Sequence, residues 1–165
     1  MKRRRMLFLL IAMLLVIFFS ILLFYGLQPS VLPLGSALPS LACFACTGVD
    51  TLQTDGKPFT LVMLFSMHCP HCIYQLDLLN KNTSVLQDFR IYLITTDTQF
   101  RPCEDTARWL NLSAWEQVTW ARMVKSDFTA HFGPGVSPSL FIFDEKGVLK
   151  TKIRGEVKIE KIIAG

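Results

Sequence analysis

The residues with the clearest chemistry are Cys69-Pro70-His71-Cys72, which follow closely on the apolar run at residues 59–65. A dithiol with two intervening residues, entering a helix from a buried strand, is arranged to make and break a disulfide. Unpaired N–H groups and the positive dipole end of a helix N-terminus stabilise an anion, so Cys69 is expected to be the attacking sulfur. Pro70 falls in the first turn, where a helix tolerates proline. His71 adds an N–H dipole beside the thiols. Cys72, one turn in, is placed to displace a bound partner from Cys69 and close the ring.

Cys43-Phe44-Ala45-Cys46 is a second pair of the same spacing. Two such pairs can form a four-cysteine zinc site. Here 22 residues separate them, longer than such sites use, and Cys69 and Cys72 follow an apolar strand rather than sit in a polar knuckle. Cys43 and Cys46 are therefore read as a candidate second dithiol. A local structural disulfide, or a bridge from one of them to Cys103, remains open. A purely structural 69–72 bond would restrain very little of the unfolded chain.

The elements around these cysteines start with the N-terminus. Lys2-Arg3-Arg4-Arg5 precede residues 6–25, which carry no charge and one serine. At helical rise such a stretch spans about 30 Å, the thickness of a bilayer core. No Lys or Arg follows until Lys57, so residues 1–5 are expected to stay cytoplasmic while the rest crosses. The apolar stretch exceeds that of a cleaved signal peptide, which predicts an uncleaved, single-pass anchor in the inner membrane. The C-terminal part then lies in the periplasm or an equivalent oxidising space, where cysteines favour disulfide chemistry. The net charge of +4 equals the basic flank, leaving 13 Lys and Arg against 13 Asp and Glu. That balance gives no case for a nucleic-acid partner.

Residues 26–40 contain Pro29, Pro33 and Pro39 and read as an extended linker. Residues 41–165 suffice for one domain with a single core. Their pattern predicts strands at 59–65 and 89–94, and a helix in which Cys72, Leu76 and Leu79 share a face. Helical stretches are expected near 103–110 and 115–132, the second from the stripe Val118, Ala121, Val124 and Phe128. Strands at 139–143 and 148–153 flank the turn Asp144-Glu145-Lys146-Gly147, and a helix at 156–164 closes the chain. This order implies an α/β fold with a mixed sheet covered by helices.

From about Leu34 onward the chain resembles the thioredoxin superfamily, and within it the membrane-anchored TlpA/ResA-like thiol–disulfide oxidoreductases. The resemblance rests on Asp55-Gly56-Lys57-Pro58, on the Cys-Pro-His-Cys site, and on Phe132-Gly133-Pro134-Gly135-Val136-Ser137-Pro138-Ser139 with the strand and turn that follow. It implies that Pro138 is cis against the dithiol and that Ser137 pairs backbone to backbone with substrate. It implies partners as well: exported proteins with cysteines, and a transmembrane or periplasmic thiol redox partner. The dithiol itself calls for no metal or other cofactor.

The chain departs from the family at several positions. Ser66-Met67-His68 stand where a tryptophan usually precedes the first cysteine. Gln75 replaces a frequent Glu, Asp77 a usual proline, and Met63 the buried acid of thioredoxin. Cys-Pro-His-Cys is also the active-site sequence of DsbA-like oxidases, which makes a disulfide-forming oxidase the alternative. The segment between Asp97 and Val136 is too short for the helical insertion of that family. A copper metallochaperone is a further alternative, with His68, His71 or His131 as third ligand. Copper proteins of this fold, however, space their cysteines by three residues.

Overall fold

The computed structural model describes residues 11–21 and 32–164. Residues 11–21 are helical, and the ends of the expected 6–25 anchor lie outside the described residues. Among the described residues no helix is long and apolar enough to cross a membrane.

Strand formation follows the apolar runs. β3 (Phe59–Leu64), β4 (Phe89–Thr95) and β6 (Ser139–Asp144) are almost wholly buried, as expected of central strands covered on both faces. Alternation then sorts their side chains. Leu61, Met63, Ile91, Leu93, Leu140 and Ile142 enter one core, and Val62, Leu64, Tyr92, Ile94, Phe141 and Phe143 the other. β1 (Ala42–Ala45), β2 (Gly48–Thr51), β5 (Val118–Arg122) and β7 (Leu149–Arg154) complete a seven-stranded sheet of order β2-β1-β5-β4-β3-β6-β7. β3, β4 and β5 run parallel, and the other pairings are antiparallel.

Helices cover both faces. α1 (Pro70–Lys81), α2 (Leu110–Ser113) and α4 (Ile159–Ile163) add Leu76, Leu79, Leu112 and Ile162 to the first core. α3 (Lys125–Phe132) adds Phe128 and Phe132 to the second.

Three expectations of secondary structure need correction. The helix expected over 115–132 is a strand, β5, followed by the shorter α3. Its apolar stripe has helical spacing, yet Trp120 and Ala121 belong to opposite cores, as only a strand allows. The stretch 103–110 is mostly turns with one 3₁₀ turn (Ala107–Trp109), and the terminal helix is confined to α4. The end of the expected linker is not free either. Gly35 N–H donates to the Leu149 carbonyl at 2.8 Å and Leu38 N–H to Gly147 at 2.7 Å, beside an Ala37–Val148 bridge. Residues 35–38 thus cover the start of the β7 edge, at Leu149 and the turn before it.

Candidate active site

Cys69 is the N-cap of α1. Its backbone is extended, with φ −100° and ψ 113°, and its carbonyl accepts from Cys72 and Ile73 N–H at 3.0 and 3.1 Å. Pro70 begins the helix, where a missing N–H costs nothing. The Cys69 sulfur caps no backbone group, and the first turn carries no acidic side chain to compete with a thiolate. Cys69 is half-buried, whereas Cys72 is fully buried, and both are free thiols. Burial pushes the Cys72 thiol up to about 12, against the opposing pull of a hydrogen bond with the Ser66 backbone. One sulfur is reachable; the other waits beneath it as a thiol.

The third wall is the turn before β6. The Ser137–Pro138 peptide is cis and Pro138 is buried. The Cys69 thiol donates to the Ser137 carbonyl oxygen at 3.5 Å, and the Ser137 side chain also acts on Cys72. At Gly135 the turn packs closely on β3, where a Cβ would stand 2.7 Å from Leu64 Cδ2. Cys69, Cys72, Ser137 and Pro138, which the sequence nominated separately, therefore form one site. A backbone carbonyl directed at the reactive sulfur is suited to an extended peptide lying across it.

Behind Cys72 the polar groups differ from a carboxylate relay. Met63 is fully buried in the first core. Gln75, also fully buried, accepts at Oε1 from Val157 N–H at 2.8 Å, while its Nε2 has no partner among the described residues. Gln75 thus ties α1 to the segment after β7.

The second candidate dithiol does not form. Cys46 is bonded to Cys103, and Cys43 remains a buried free thiol, pushed up to about 11 by burial and the Asp50 charge. Alternation is the reason. Cys43 sits within β1 and points into the second core, whereas Cys46 lies in the exposed turn after it, with its Cα 5.1 Å from that of Cys103. The bridge ties the β1–β2 turn to the long connection after β4, across 57 residues of sequence. Replacing both Cys46 and Cys103 by serine should lower stability by about 2–4 kcal/mol and leave the Cys69–Cys72 exchange rate near the parent's. Urea unfolding with and without reductant checks this, since under reductant the parent and the serine variant should unfold at nearly the same urea concentration.

The histidines are engaged elsewhere. His68 Nε2 stands 3.7 Å from Asp97 Oδ2, His71 Nδ1 lies 2.5 Å from Glu156 Oε1, and His131 Nδ1 is 2.9 Å from the Asp127 carbonyl. Among the described residues no group of three or more His, Cys, Asp or Glu side chains is arranged to hold a metal ion. Asp97 and Glu156 are the site neighbours that sequence reasoning missed. Each is one acidic residue among many, remote in sequence, with no motif around it.

No family model matches the sequence, and no curated protein gives a significant match. Solved structures do. A putative thiol:disulfide interchange protein DsbE from Chlorobium tepidum superposes with a TM-score of 0.62 at 20% identity, over 79% of this chain and 91% of that one. The fold is thioredoxin-like. A thiol:disulfide interchange protein from Bacteroides sp. gives 0.61 at 22% identity, over 81% and 92%. A peroxiredoxin-like protein from Aquifex aeolicus gives 0.63 at 13% identity, over 82% and 86%. In this thioredoxin-like frame the dithiol follows the end of β3, an interior strand between β4 and β6, at the start of the next helix.

Proposed function

We propose that this protein is a thiol–disulfide oxidoreductase that exchanges disulfides with cysteine-containing proteins through Cys69 and Cys72. One observation carries the reading: a reachable Cys69 at a helix N-cap stands over a buried Cys72, and the Ser137 carbonyl faces the reactive sulfur. The thiol:disulfide interchange proteins that share the fold support it.

In the reducing direction, the Cys69 thiolate attacks a client disulfide. A Cys69–client bond forms as the client S–S bond breaks, and one client sulfur leaves as thiolate and takes a proton. Cys72 then gives up its proton and attacks Cys69 Sγ, releasing the second client thiol and closing the 69–72 disulfide. Two electrons pass to the client. A dithiol protein must return them for the next cycle. Oxidation of a client dithiol runs through the same steps in reverse.

The finer reading is a TlpA/ResA-like enzyme, held in the inner membrane by residues 6–25, with residues 41–165 in the periplasm or its equivalent. The basic flank, the uncharged span and the Lys- and Arg-free stretch up to Lys57 support it. Its clients are then exported proteins, cytochrome c precursors among the candidates, and its electron donor is a transmembrane or periplasmic thiol protein. Protease added to intact spheroplasts should digest the domain. Digestion only after lysis would rule out this topology.

A further inference from the structure

The Cys-Pro-His-Cys sequence favours an oxidant, because a histidine N–H directed at the Cys69 thiolate stabilises the reduced form. The structure gives that N–H another destination. His71 lies in the first turn of α1, its side chain 70% exposed, with Nδ1 2.5 Å from Glu156 Oε1. Glu156 comes from the segment after β7, 85 residues away, and its side chain is 39% exposed. An ionised carboxylate only accepts hydrogen bonds, so at this contact the Nδ1–H belongs to Glu156 whether the ring is neutral or charged. With that N–H held by Glu156, the Cys69 thiolate loses a stabilising donor and the dithiol becomes more reducing.

We propose that Glu156 is a positioning residue that holds His71 away from Cys69 and makes the Cys69–Cys72 couple more reducing than its four-residue sequence alone would be. The inference rests on the oxidoreductase reading and gives it a direction, toward service as a reductant or isomerase.

The test is the equilibrium of the full-length chain, in detergent, with glutathione. Two glutathione thiols convert the 69–72 disulfide to the dithiol and become one glutathione disulfide, so thiol hydrogens and electrons balance. Glu156→Ala, which removes the acceptor, should ease reduction of the protein about tenfold, a potential about 30 mV more positive. Glu156→Asp, which keeps the acceptor, should recover part of the difference. In a His71→Gln background the Glu156→Ala change should alter the equilibrium less than about twofold, because the histidine through which Glu156 acts is gone. A shift toward harder reduction, no shift in the parent background, or an equal shift in both backgrounds would overturn the proposal. Wild-type protein that exchanges nothing with glutathione would instead overturn the oxidoreductase reading, and this inference with it.

Discussion

Cys69→Ser should lower thiol–disulfide exchange by on the order of 10⁴-fold, the scale of losing a nucleophile, while Cys72→Ser should stop the reaction halfway. The difference follows from burial and position. Cys69 is the half-buried N-cap, so a client sulfur can reach it, whereas Cys72 is closed off beneath the first turn. With Cys72 replaced, the first attack still occurs but nothing resolves it, and mixed disulfides through Cys69 accumulate. Non-reducing gels of cells expressing each variant separate the cases. Adducts that appear only with Cys69→Ser would reverse the roles. Alkylation provides a second readout. At pH 7–8 iodoacetamide should modify Cys69 first, and Cys72, held as a thiol near 12 and buried, should stay unmodified until the domain unfolds.

The dithiol was legible because every cue for it is local. The strand, the N-cap, the proline and both thiols fall within residues 59–72. The same holds for β3, β4, β6 and β7, whose apolar runs or flanking turn announce them. Less was legible where burial is partial. β1 and β2 have only four residues each, and Phe44 and Val49 stay exposed, so no alternation marks a buried face. β5 was hidden by a different cause. Its few apolar residues, joined to those of α3, reproduce a helical period, and only the pairing with β4 and β1 chooses the strand. The Cys46–Cys103 bond and the His71–Glu156 contact depend on residues 57 and 85 positions apart, brought together by the fold rather than by any sequence period.

Asp77 shows how a departure from a family pattern can be explained by a distant partner. Its Oδ1 accepts from Trp109 Nε1–H at 2.7 Å, and its Oδ2 from Arg108 at 3.2 Å. Trp109 is fully buried in the first core and stacks on Trp120, with ring centroids 5.4 Å apart. The indole thereby pins the connection between β4 and β5 onto α1, the helix that carries the dithiol. A carboxylate at position 77 serves this contact; a proline could not.

Trp109→Ala should therefore cost about 3–5 kcal/mol, the range for emptying a large aromatic site in a packed core. Trp109→Phe keeps most of the volume and removes the donor. It should cost about 1–3 kcal/mol, the loss of a hydrogen bond to a charged acceptor plus some packing. Asp77→Ala should cost less than Trp109→Ala, because the indole packing survives. The pair should be non-additive: once Trp109 is phenylalanine, Asp77→Ala should add little beyond its Arg108 contact. Urea denaturation of the four proteins closes this cycle. Additive losses would mean that the Asp77–Trp109 hydrogen bond contributes nothing to holding the β4–β5 connection on α1. A coupling of about 1 kcal/mol or more would show that the departure at position 77 helps fix the active-site helix in place.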